Sequence, residues 1–168
     1  MTPVVLALGS NLGDRLANLQ GGVDALCAEP GLQEVAVSPV YETVPVGGPD
    51  QPDYLNAVLV AATSLPARVL LDRGLAAESG LGRLRGERWG PRALDIDVIV
   101  YGNQVSADPE LTLPHPRAHE RAFVLAPWHD VDPLALIPGH GPVADLLATV
   151  GLTGVRRRRD ARLRPPCR

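Results

Sequence analysis

The chain has no lysine: all 16 of its basic residues are arginine. Without lysine there is no Walker A loop, no protein-kinase β3 lysine, no Schiff base and no Ser-Lys dyad, so enzyme classes built on those groups are excluded. Cysteine is almost as scarce, with only Cys27 and Cys167. Two such distant residues make no disulfide framework, and a reducing cytoplasm is the expected compartment. Long hydrophobic runs are missing too. No uncharged apolar stretch approaches ~18–20 residues, and the start MTPVVLALGS has no basic n-region, so neither secretion nor a membrane span is expected. Aromatics make up 4% of the chain, one Phe, two Trp and three Tyr, so each must be accounted for.

What remains is the composition of an ordinary folded domain. The 168 residues are 45% apolar and 21% charged. A chain of this length buries roughly 70% of its unfolded surface, which is enough for one core without staples. The net charge of −3 hides an asymmetry. Residues 156–168 hold seven arginines against Asp160, whereas residues 1–155 hold nine arginines against 18 acids. A short basic terminus of this kind is expected to be a solvated, disordered tail, and nucleic-acid binding is its alternative use.

Periodicity outlines the elements. Pro3 to Leu8 reads as a strand, and Leu16, Leu19, Val23 and Leu26 place a helix over about 14–28. Val35 to Tyr41 and Tyr54 to Ala62 read as strands separated by a Pro/Gly-rich loop at 44–53. A second helix carries its apolar positions over Val69 to Leu81. A Gly/Arg-rich loop at 82–93 precedes a β-branched strand, Leu94 to Tyr101, and a small hairpin is expected within Asn103 to Leu113. Helical segments follow from Pro116 to Leu125 and from Val143 to Leu147. About four strands with two long crossing helices predict an α+β fold, with a ferredoxin-like βαββαβ core in an α-β-α sandwich.

The strongest chemical signal is Asp95-Ile96-Asp97. Strand alternation sends both carboxylates to one face, about 6.6 Å apart, and Leu94, Ile96, Val98 and Val100 to the other. Two like charges on one face are most simply balanced by a divalent cation, and an all-oxygen donor set favours Mg²⁺ over Zn²⁺. A solvent-facing edge strand explains the pair alone equally well. The arginines at 83, 85, 88 and 92 shift the weight, because Mg²⁺ and planar guanidinium donors together suit a polyphosphate. Zinc is disfavoured, since Phe123 stands where an HExxH pattern beginning at His119 would need its second histidine.

Several motifs resemble those of the 6-hydroxymethyl-7,8-dihydropterin pyrophosphokinases of folate biosynthesis: LALGSN at 6–11, YETVPVGGPDQPDYLN at 41–56, RWGPRALDIDVIVYG at 88–102 and LPHPRAHERAFVL at 113–125. The resemblance covers about residues 3–150 and implies transfer of pyrophosphate from ATP to the pterin hydroxymethyl group, with release of AMP. It further implies that Asp95 and Asp97 hold two Mg²⁺ ions. Arg83 and Arg92 would serve the reactive phosphates, while Glu78, Arg85, Arg88, Trp89, Arg92, His115 and Arg121 would bind ATP. Thr43, Val44, Val46, Tyr54, Asn56, Asp95 and Phe123 would bind the pterin. Gly86, Glu110 and Leu75 stand where some members carry Lys, Arg and Gln. The expected state is a cytoplasmic monomer binding small molecules, with no nucleic-acid or membrane partner, whose loops at 44–53 and 82–92 close over the ligands. The alternatives are another Mg-nucleotide transferase, distinguished by releasing a nucleoside diphosphate, and an RNA-binding module that uses the arginine tail.

Overall fold

The computed structural model describes residues 1–45, 50–81 and 93–166. Strand β1 (Thr2–Ser10) sits inside the sheet, and its alternation divides the core. Val4, Leu6 and Leu8 pack toward helices α1 (Arg15–Cys27) and α2 (Ala67–Gly80), whereas Val5 and Ala7 face the opposite layer. Helix α1 starts where the Asp14 carboxylate accepts the Ala17 N–H at 3.1 Å, an N-cap that satisfies one orphan donor of the first turn.

The segment expected as one strand over 35–41 is two. Strands β2 (Leu32–Val37) and β3 (Tyr41–Thr43) are divided at Ser38-Pro39, where proline has no N–H to offer a ladder. Ser38 bridges the gap by donating its N–H to the Val58 carbonyl and accepting the Val58 N–H on its hydroxyl. Both strands pair with β4 (Tyr54–Thr63), β2 along residues 59–63 and β3 along 54–56.

Strand β5 (Asp95–Tyr101) lies beside β1, with Asp95 opposite Gly9 and Asp97 opposite Ala7. The register slips between Val5 and Leu6, so Val100 and Val98 meet consecutive residues and Ile99 is the extra residue of a bulge. A hairpin of β6 (Ser106–Asp108) and β7 (Leu111–Leu113) follows, as expected. The helix expected from Pro116 starts later. A 3₁₀ turn at Ala118–Glu120 gives way to extended Arg121 before α3 (Ala122–Val131). A short hairpin, β8 (Leu136–Ile137) and β9 (Gly141–Pro142), leads into α4 (Val143–Val150) and then β10 (Val155–Arg157).

The protein is thus α+β, the described residues forming four α-helices and a six-stranded sheet in the order β10-β3-β4-β1-β5, β2 pairing with β4; the described pairings are antiparallel. Leu19, Val23, Leu26 and Leu70 fill one side of the sheet, and Val124, Leu125, Trp128 and Val143 the other. No helix among the described residues is long and apolar enough to cross a membrane. The basic segment does not trail off as a disordered tail. Its first residues form β10, Ala161 is buried and Leu163 packs on the α1–α2 side of the core. Arg156 and Arg158 there meet a buried acid, a partner that local sequence cannot reveal.

Candidate active site

A cavity of about 620 Å³ opens on the sheet face toward α3, within the range of small-molecule sites. Strand periodicity builds its floor. Tyr54 and Asn56 share one face of β4, and Asp95 and Asp97 share one face of β5, with Gly9 of β1 between them. Gly9 is required by close approach. A Cβ there would stand 2.9 Å from Asn56 Nδ2 and 3.3 Å from the Tyr54 ring, so only hydrogen leaves those two side chains in place. Phe123, from the first turn of α3, and Arg121, just before it, close the opposite side; the Arg121 guanidinium lies 5.5 Å from the Phe123 ring centre.

Two polar atoms in this wall are buried without a hydrogen-bond partner: Asn56 Oδ1 and Thr43 Oγ1. Leaving such groups unpaired costs about 1–3 kcal/mol each, so their placement in a cavity wall points to a ligand that completes them. The Asn56 amide also retains donor character, which suits a heterocycle presenting both donors and acceptors on one edge.

His115 stands beside the acids, its Nε2 3.9 Å from Asp97 Oδ2, too long for a hydrogen bond. Its backbone N–H donates to the carbonyl of the bulged Ile99 at 2.8 Å, so the bulge in β5 sets its position. Its Nδ1 accepts the Arg117 N–H at 3.2 Å, which assigns the ring proton to Nε2. Burial, then the charges of Arg121 and Arg117, push its pKa down to about 4. The ring is therefore neutral at physiological pH and offers an N–H. Burial likewise lowers Arg121, against the pull of Asp97.

Of the residues expected at the site, the structure gathers Thr43, Val44, Tyr54, Asn56, Asp95, Asp97, Arg121 and Phe123 around this cavity, with His115 next to Asp97. Glu78 is not in its lining. It is buried beneath α2, and its Oε1 accepts the Ile96 N–H at 2.9 Å, holding β5 between the two acids. Arg83, Arg85, Arg88, Trp89, Arg92 and Val46 lie outside the described residues, as do the loop at 82–92 and residues 46–49 of the other loop. Sequence reasoning missed Gln51, Arg117, Glu120 and the wall from Val150 to Val155. Arg117 and Glu120 sit within a quoted motif and could have been taken with it. The wall had no local signal.

The donor set suits Mg²⁺. Two carboxylates project from one strand face, and no cluster of three or more His, Cys, Asp or Glu residues occurs among the described residues. Mg²⁺ is commonly held by one or two carboxylates and completes its shell with water and substrate phosphates, whereas a protein-enclosed Zn²⁺ site needs more protein ligands.

The family model for 7,8-dihydro-6-hydroxymethylpterin-pyrophosphokinase matches residues 5–133. This chain belongs to that family. It is 44% identical over 157 residues to the 2-amino-4-hydroxy-6-hydroxymethyldihydropteridine pyrophosphokinase of Methylorubrum extorquens, covering 94% of this chain and 99% of the relative. It is 48% identical over 162 residues to the protein of the same name from Mycobacterium tuberculosis, covering 88% and 84%. Among solved structures, a variant of Plasmodium falciparum HPPK-DHPS with pterin and p-hydroxybenzoate superposes with a TM-score of 0.72 at 13% identity. That likeness concerns the fold. It covers 93% of this chain and 47% of the Plasmodium chain, so the pyrophosphokinase-family chain described here spans about half of that protein.

Proposed function

We propose that the chain transfers a pyrophosphoryl group from ATP to the hydroxymethyl group of 6-hydroxymethyl-7,8-dihydropterin in folate biosynthesis, the reaction that gives its family its name. The observation that carries this assignment is the single cavity in which two buried, unpartnered polar atoms, Asn56 Oδ1 and Thr43 Oγ1, face the same space as the Asp95–Asp97 pair. One half is built to read a flat polar heterocycle and the other to hold a metal-bound phosphate chain.

In the first half, Tyr54 and Phe123 supply aromatic surfaces for the pterin, worth about 0.5–1.5 kcal/mol beyond burial, while Asn56 and Thr43 hydrogen-bond its edge. Val44 adds backbone groups and wall, and Val46 would add a further backbone group. In the second half, Asp95 and Asp97 would hold two Mg²⁺ ions, which when bound neutralise the triphosphate and polarise its oxygens. Asp95 faces both halves. Arg121 supplies a fixed cation and His115 a neutral N–H donor to phosphate oxygens. Arg83 and Arg92 would stabilise charge developing on the transferred group, with Arg85, Arg88 and Trp89 completing the ATP site. No covalent nucleophile is required, because alignment and charge stabilisation carry phosphoryl transfer. Glu78, expected at ATP, holds the Ile96 N–H and so supports the strand that carries both acids.

We read the order β5-β1-β4-β2, with α1 and α2 on one face, as a ferredoxin-like βαββαβ core in an α-β-α sandwich. The catalytic domain, expected over residues 1–155, is read as continuing through β10 and the residues packed behind it. The described lining of the cavity comes from one chain, which supports a monomer as the working form, and the cytoplasm remains the compartment read from the sequence. The deciding experiment is an assay of nucleotide products with ATP, Mg²⁺ and the hydroxymethyl dihydropterin. AMP in step with pterin diphosphate is expected; ADP, or turnover independent of the pterin, overturns the reading.

A further inference from the structure

We propose that residues 151–158, which include β10, form a positioning strap for the pterin half of the cavity, locked by arginines from two segments onto the carboxylate of Glu42. The proposal rests on the reading that this half takes the pterin. The segment lies beyond the region matched by the family model, which ends at residue 133.

Strand β3 has only three residues, and it carries Thr43 into the cavity wall. Without β10 it would be the outermost strand of its end of the sheet. With β10, Val155 pairs with Thr43, Arg156 with Glu42 and Arg157 with Tyr41. Two further backbone bonds bracket the pairing: Val44 N–H donates to the Gly154 carbonyl at 3.0 Å, and Arg158 N–H to the Val40 carbonyl at 2.8 Å. Thr153, Gly154 and Val155 themselves line the cavity. The strap is therefore both a wall of the site and the support of the strand that presents Thr43.

Its lock is electrostatic. The Glu42 side chain is 7% exposed, a burial that an isolated carboxylate would not tolerate. It accepts hydrogen bonds from Arg15 at 2.8 Å, from Arg158 at 2.9 Å and from Arg156. Two of these cations bring further connections. Arg15 also donates to the Asp53 carbonyl, immediately before Tyr54, and Arg158 is held by Asp160 through two hydrogen bonds. One carboxylate thus joins β3, the start of α1, the entry to β4 and the strap. Beyond the lock, the Arg164 N–H donates to Gln20 Oε1 at 2.8 Å and anchors the far end on α1.

Strand alternation puts Glu42 and Thr43 on opposite faces, so the lock lies behind the site and touches no ligand position. The acids of β5 stand at the other end of the sheet order, with β4 and β1 between. Loosening the strap should consequently weaken the pterin and spare ATP. The test compares full-length wild type with Glu42→Gln and with the Arg156→Ala/Arg158→Ala double variant. We expect KM for the pterin to rise roughly tenfold, with KM for ATP and kcat at saturating pterin within about twofold, and Arg158→Lys to be closer to wild type than Arg158→Ala. Amide exchange of wild type supplies a readout that needs no variant: 6-hydroxymethylpterin with a non-hydrolysable ATP analogue should slow exchange at 154–158. A wild-type enzyme that releases AMP while both variants keep its pterin KM overturns the strap alone. Equal losses for both substrates, or strap amides indifferent to the pterin, also overturn it. A wild type that forms no AMP overturns the substrate reading and the strap with it.

Discussion

On the proposed reading, Asp95 and Asp97 are the residues whose loss should cost turnover most. They are partly exposed on a strand whose opposite face is buried, so truncating one does not open the core. Asp95→Ala and Asp97→Ala should each lower kcat at least about 100-fold, some 2.7 kcal/mol, with melting temperature essentially unchanged. Near-normal turnover in either variant would remove the metal assignment. Asn56 makes the complementary case. Asn56→Ala should weaken the pterin by at least about 1 kcal/mol in calorimetry while ATP binding stays the same. Gly9→Ala should act in the same direction by displacing the Asn56 amide, because its Cβ would fall 2.9 Å from Nδ2. If Gly9→Ala left pterin affinity intact, the close packing of β1 on β4 would not be what holds Asn56.

At the scale of elements, the β3–β10 pair carries a pH signature. Burial alone would raise the Glu42 carboxyl, but hydrogen bonds from Arg15 and Arg156 and their charges outweigh it and leave the pKa below 4.5. A carboxyl depressed in the folded state contributes stability that is fully present above its unfolded value, and loses it as pH falls through the folded value. The wild-type melting temperature should therefore decline below about pH 4.5 more steeply than that of Glu42→Gln, in which nothing titrates at this position. Parallel acid profiles would show that the arginine contacts do not perturb Glu42. The division of β2 from β3 belongs to this scale as well. Val35 to Tyr41 has the composition of one strand, and only the pairing of each half with a different stretch of β4 shows why the chain breaks at Ser38-Pro39.

For the molecule as a whole, the proposed metal would belong to the reaction, and the apolar layers belong to the fold. Leu19, Val23 and Leu70 on one side of the sheet and Leu125, Trp128 and Val143 on the other supply stability that owes nothing to Asp95 or Asp97. Chelation of Mg²⁺ should abolish turnover in the assay and leave the melting temperature of the ligand-free protein within about a degree, the latter readable by scanning calorimetry. A large fall in melting temperature on chelation would mean the ion is structural.

The order of strands and helices, the carboxylate pair on one strand face and the family motifs were legible in the chain itself, because period 2, period 3.6 and short contiguous motifs are local properties. So was the pairing of Tyr54 with Asn56, two residues apart on β4. The burial of Glu42 and the destination of Arg156 and Arg158 were not. A run of arginines reads as solvated until the fold brings it to a carboxylate more than a hundred residues away, |i−j| being 114 and 116 for the two bonds. The same holds for Glu78, whose motif position suggested ATP and whose carboxylate turned out to hold the Ile96 N–H. Strand periodicity settles which face a side chain takes until a bulge intervenes, as at Ile99, after which Val100 packs with the α3 layer instead of with Ile96 and Val98; which charge or N–H waits there depends on contacts between distant segments, and those exist only once the sheet has closed on both helix layers.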